Sequence, residues 1–137
     1  MINNADDLEA QLSRLGRHQE RLADGTFLVS IGSNHPPVAL RLVPPVLVVQ
    51  VTVGPAPSDE SRAAPLYKQL LELNASSLVH SAYGLERDLI VLSSALELES
   101  LDLNELEAVL ADMDVALSEH VPLLRKMAQT ASMRPGT

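Results

Sequence analysis

The stretch Val38-Ala39-Leu40-Arg41-Leu42-Val43-Pro44-Pro45-Val46-Leu47-Val48-Val49-Gln50-Val51-Thr52-Val53 decides the fold. Val38, Leu40 and Leu42 alternate with Ala39, Arg41 and Val43. After the proline pair, Leu47, Val49, Val51 and Val53 alternate with Gln50 and Thr52. Valine richness with a period of two predicts two β-strands, each with one buried face. Pro44-Pro45 cannot donate to a strand ladder, so it marks a turn or a sheet edge. The run is too short and too interrupted for the ~20 apolar residues that a membrane helix needs.

Working outward, Phe27 to Ile31 alternates in the same way and follows the turn signal Asp24-Gly25. Gly32 to Pro37 reads as a loop. Upstream, Leu8, Leu12 and Leu15 recur at helical spacing from about Asn4, with Asn4 as N-cap and Gly16 closing the helix. Downstream, Gly54 to Ala64 reads as a punctuated loop. Pro65 to Leu73 follows as a helix, with Pro65 at its first position and Asn74 ending it. Leu78 to Tyr83 and Leu89 to Leu98 read as a strand pair around a Gly84–Asp88 hairpin loop. Finally Leu103, Leu106, Leu110, Met113 and Leu117 form the stripe of a long helix capped by Asp102 or Asn104. Pro122 is expected to kink this helix or to start a second one. The order α-β-β-β-α-β-β-α predicts an α+β fold with a mostly antiparallel sheet and helices packed on it. Residues 1–131 are expected to form one domain, with 132–137 a disordered tail.

Composition excludes several chemistries. The chain has 137 residues, 18 acidic against 10 basic side chains, a net charge of -8, no Cys and no Trp. Without cysteine there is no disulfide frame, thiolate metal site or cysteine nucleophile. The acid excess and only three aromatic side chains (Phe27, Tyr67 and Tyr83) argue against nucleic-acid binding. The N-terminus lacks the basic and apolar regions of a signal peptide, and a cytoplasmic location is expected. Glu86 to Glu119 carries ten acids and one base, Arg87, so this segment holds -9 and the remainder +1. Such a concentration reads as a solvated face or as one that steers basic partners.

No catalytic, cofactor or metal motif emerges. His18, His35, His80 and His120 lack helical metal-ligand spacing. His80, on the predicted strand, reads as a sheet-face residue. His35, in its Pro-rich loop, is the other candidate for acid–base work. The paired carboxylates lack the aromatic platforms of sugar-processing sites. The six glycines form no phosphate cradle.

Three stretches carry a resemblance. They are Leu66-Tyr67-Lys68-Gln69-Leu70-Leu71-Glu72-Leu73-Asn74, Leu89-Ile90-Val91-Leu92-Ser93-Ser94-Ala95-Leu96, and Leu101-Asp102-Leu103-Asn104-Glu105-Leu106. With the element order, small size and acidity, they make the chain similar to the type III secretion chaperone-like superfamily. That superfamily includes the Tir-chaperone class and YbjN-like bacterial proteins. The resemblance implies a non-enzymatic, protein-binding homodimer without cofactor, which holds a segment of an effector or regulatory partner. The alternative it implies is a YbjN-like regulatory or stress-response domain with no secretion role. A small enzyme using His35 or His80 is the third reading. The surface expected to meet a partner or a second copy comprises Val46, Val48 and Gln50, taken as a sheet edge, with Leu89, Val91, Ser93 and Ala95. The outer side of the Pro65–Leu73 helix is a further candidate for the dimer surface.

Overall fold

The computed structural model describes residues 2–132. Its elements are α1 (Ala5–Ser13), β1 (Gln19–Arg21), β2 (Phe27–Val29), β3 (Val38–Val43), β4 (Val46–Pro55), α2 (Glu60–Ser76), β5 (Ala82–Glu86), β6 (Leu89–Glu97) and α3 (Leu103–Ser132). The strands form one antiparallel six-stranded sheet in the order β1-β2-β3-β4-β6-β5. This is the expected α+β architecture with one strand added. β1 escapes sequence reading because Gln19-Glu20-Arg21 has no apolar alternation, yet it pairs with β2 across the Asp24-Gly25 turn.

One face of the sheet supplies the core. Phe27, Leu40 and Val49 lie in adjacent register, as do Leu47 with Leu96 and Val51 with Leu92. These side chains are essentially sealed from solvent and join Leu8 and Leu12 of α1, Leu66 and Leu70 of α2, and Leu106, Leu110 and Met113 of α3. At roughly 25 cal/mol per Å² of apolar surface, each buried leucine or phenylalanine contributes about 1.5–3 kcal/mol. All three helices therefore feed a core that draws on a single sheet face.

The helix ends follow local chemistry. Asn4 Oδ1 accepts from the Asp7 N–H at 2.9 Å, and Asp102 Oδ1 accepts from the Glu105 N–H at 2.6 Å. Asp59 Oδ1 accepts from the Ser61 N–H at 3.0 Å and starts α2 well before Pro65. The expected loop is thus too long at both ends, since β4 runs to Pro55 and α2 begins at Glu60. Pro65 lies within the helix, where it withholds only one N–H near the N-terminal end. Pro122 likewise lies inside one uninterrupted α3, so no second helix starts there. Ser132 is the last helical residue, and the remainder of the expected tail, 133–137, lies outside the described residues.

The last hairpin is shifted from its expected position. β5 begins at Ala82 and runs through Gly84 to Glu86, leaving a two-residue Arg87-Asp88 turn. Arg87 takes φ 59, as a tight hairpin turn that matches the sheet twist requires. His80 consequently sits not on a strand but in the exposed bend between α2 and β5.

Candidate partner-binding face

The second face of the sheet carries no helix contribution to the core. Register builds it row by row. Leu28, Ala39, Gln50, Ser93 and Ala82 lie side by side across five strands. Arg41, Val48 and Ala95 form the next row, and Val43, Val46 and Glu97 the one after. In the other direction lie Thr52, Val91 and Gly84, then Leu89. All seven residues expected to meet a partner therefore project from one surface, because each lies at alternate positions of β4 or β6.

β4 is not the sheet edge that the proline pair suggested. It is central, with β3 on one side and β6 pairing it from Val46 to Pro55 on the other. Pro44-Pro45 serves only as the β3–β4 turn. The edges are β1 and β5.

Exposure on this surface is uneven. Gln50 Nε2 donates to Glu86 Oε2 at 3.1 Å. Gln50 pairs with Ser93 and Glu86 with Leu89, so the bridge crosses β6 at Val91. This accounts for Val91 being 5% exposed on an otherwise open face, whereas Leu89 is 42% exposed. At the opposite end, near the Pro44-Pro45 turn, Val43 is 47% exposed and Ala95 is open to solvent. Val46, Val48, Gln50 and Ser93 are half-buried by their neighbours. Arg41 and Glu97 stand exposed among them. Both could be found by counting alternate positions along β3 and β6.

The β5 edge is partly occupied. Asn74 of α2 donates from Nδ2 to the Tyr83 carbonyl at 3.1 Å, and its Oδ1 accepts from the Tyr83 N–H at 2.7 Å. Asn74 thus acts as a strand-like partner rather than as the expected helix stop.

The histidines divide into separate sites. His35 Nε2 lies 3.0 Å from Ser118 Oγ and 3.1 Å from Asp114 Oδ1. A nucleophilic triad needs the hydroxyl and the carboxylate on opposite ring nitrogens. Here one nitrogen serves both, so the acid cannot orient the ring toward the serine. The cluster instead ties the Gly32–Pro37 loop to α3. Beside it Arg17 grips Glu107 with Nε at 3.0 Å and Nη2 at 2.6 Å, while Nη1 donates to the Ser30 carbonyl at 3.1 Å. The Glu107 hydrogen bond, opposed in part by burial, raises the Arg17 guanidinium above its ordinary pKa. His120 is buried, with Nδ1 2.8 Å from the Tyr83 hydroxyl, and burial pushes the Tyr83 phenol up to about 12. Neither pair was legible beforehand, because the partners lie 83 and 37 residues apart. Among the described residues no three His, Asp or Glu side chains gather as a metal site. No described helix is long and apolar enough to cross a membrane.

The fold has known counterparts. The chain belongs to the CesT_Tir_1 family of type III secretion chaperones, whose family model matches residues 1–130. It is similar to a chain of the heterodimeric ExoU-SpcU complex from the type III secretion system of Pseudomonas aeruginosa. The two share 19% identity with a TM-score of 0.66 over 85% of this chain and 96% of that one. YbjN, a putative transcription regulator from E. coli, is similar at 14% identity and TM-score 0.65 over 96% and 94% of the two chains. The Yersinia pestis type III secretion chaperone SycH, solved with a fragment of YscM2, is similar at 21% identity and TM-score 0.56 over 85% and 95%. No curated protein sequence matches the chain.

Proposed function

We propose that the protein is a non-enzymatic, chaperone-like module, working in the cytoplasm as a homodimer of one domain per chain, that holds a segment of another protein. The observation that carries this reading is the helix-free sheet face, where Val43 and Ala95 stand open beside the half-buried Val46 and Val48. A soluble chain gains by covering such a surface with another polypeptide. An extended segment adds backbone hydrogen bonds at an edge or places apolar anchors between side chains. The family, and the complexes in which SpcU and SycH were solved, support an effector or regulatory protein as partner. The His35 geometry favours no hydrolytic alternative.

A second reading, regulation without secretion, draws on the near full-length similarity to YbjN. Affinity purification of the tagged protein from its native host separates the two. A secreted, partly unfolded partner supports the chaperone reading, and a folded regulator the second. Recovery of the protein alone, at native abundance and after crosslinking, counts against both.

A further inference from the structure

Charge is spread unevenly over the open face. By register its charged strand residues are Glu20, Arg41, Glu86 and Glu97, so Arg41 is the one cation among them. Glu86 already accepts from Gln50. Arg41 and Glu97 are exposed, and no opposite charge lies within ion-pair distance of either among the described residues. Asp24, held ionised chiefly by Thr26, senses Arg41 only at longer range. In water both charges are solvated. Under a chain that brings no counter-charge, each would be desolvated without compensation. A polypeptide lying here must therefore bring an acidic side chain to Arg41 and a basic one to Glu97.

Register fixes how far apart those two side chains stand. Arg41, Val48 and Ala95 share a row, and Val43, Val46 and Glu97 share the next. From Arg41 to Glu97 is two strand spacings across and two residues along, about 12 Å on the diagonal. The midpoint falls on β4 between Val46 and Val48, both half-buried, and the exposed Val43 and Ala95 hold the other two corners. An extended chain rises about 3.3 Å per residue and turns alternate side chains to the same side. Its positions i and i+4 thus stand about 13 Å apart on one side, within reach of both charges, with i+2 over the two valines.

We propose that Arg41 and Glu97 select the segment held on this face for an extended acid-x-aliphatic-x-base pattern. The acid lies on Arg41, the aliphatic residue on Val46 and Val48, and the base on Glu97. This rests on the partner-holding reading above and names the chemistry of the segment held.

The test is fluorescence anisotropy of the full chain with labelled, end-capped peptide probes. Each probe carries one core, Glu-Thr-Val-Thr-Lys, Glu-Thr-Val-Thr-Glu or Lys-Thr-Val-Thr-Lys, between the same neutral flanks. Wild type is expected to bind the mixed probe at least about tenfold tighter than either like-charged probe. Arg41→Glu should transfer the preference to the probe with two lysines, and Glu97→Arg to the probe with two glutamates. Circular dichroism confirms that the variants fold. Val48→Lys should bind none of the probes. Equal binding of all three by wild type, or a preference that neither charge variant moves, overturns the pattern. If Val48→Lys still abolishes that binding, the face keeps its partner-holding role. Binding that Val48→Lys leaves unchanged overturns both the pattern and the use of this face. A face covered by a second copy excludes every probe, and absence of binding likewise overturns the proposal, while the affinity purification above judges the partner reading separately.

Discussion

Asn74 and Tyr83 are joined as two strands would be, through one donor and one acceptor on each side, at 3.1 and 2.7 Å. The side-chain amide of a helix thereby occupies part of an exposed strand edge. Unpaired edges invite pairing with other chains, and natural sheets blunt them. Asn74→Ala frees both Tyr83 backbone groups. The expected outcome is a loss of about 1–2 kcal/mol in denaturant unfolding and faster hydrogen exchange at the Tyr83 amide. Unchanged exchange there would show that water or another group already serves this edge.

The alternation along β4 predicts opposite outcomes for adjacent residues. Leu47 is fully buried, and Leu47→Ala is expected to cost about 2–5 kcal/mol. Val48 faces the open side, and Val48→Lys is expected to leave the isolated fold within about 1 kcal/mol while abolishing self-association or partner capture. Urea unfolding at low protein concentration, beside sedimentation, reads the two effects separately. A Val48→Lys protein that unfolds as readily as Leu47→Ala would place this residue in the core instead.

Tyr83 gives the pH dependence. Its phenol is neutral when folded, and burial raises its pKa from 10.0 to about 12. A raised folded pKa contributes stability that is fully present below the unfolded value and is lost as pH rises through the folded one. Stability should therefore fall between about pH 10 and 12. Tyr83→Phe should remove that alkaline step, and at neutral pH it should cost about 1–2 kcal/mol by leaving the buried His120 nitrogen without its partner. Urea unfolding of the wild type and the variant from neutral pH to about pH 12 checks both, and a variant whose stability still falls at the alkaline step refutes the assignment.

Arg17 and Glu107 couple the α1–β1 connection to α3. Their geometry is bidentate, but the Glu107 side chain is 41% exposed, so solvent screens the pair. A double-mutant cycle with Arg17→Met and Glu107→Gln is expected to give a coupling of about 1 kcal/mol, reduced at high salt. A coupling that salt leaves unchanged would argue against a screened ion pair.

The architecture was readable where local pattern and tertiary packing agree. Period-two valines fix β3 and β4, and leucine spacing fixes α1 and α3. The same counting placed Val46, Val48, Ser93 and Ala95 on a common face of their strands, though not the pairing of β4 with β6 that brings them together. Sequence and structure part where a proline or glycine suggests a boundary. Pro65 and Pro122 lie inside helices, and Gly84 lies inside β5, because caps and packing outweigh one unfavourable residue. What depended on distant partners was illegible. The Gln50–Glu86 bridge over Val91, the Asn74 edge contact and the His35 cluster join residues that only the folded chain brings together.

The strand order has a consequence for how the molecule holds together. β1 to β4 form a meander of short hairpins, and β5–β6 is another local hairpin. Within the sheet, β4 against β6 in nine residue pairs is the long-range ladder that joins these two sets of hairpins. Ala56 to Ser58 is the strip of irregular backbone where the two sets part in sequence. A break there cuts no ladder and leaves this pairing intact in space. The surface shared by β4 and β6 therefore exists only where strands distant in sequence are paired.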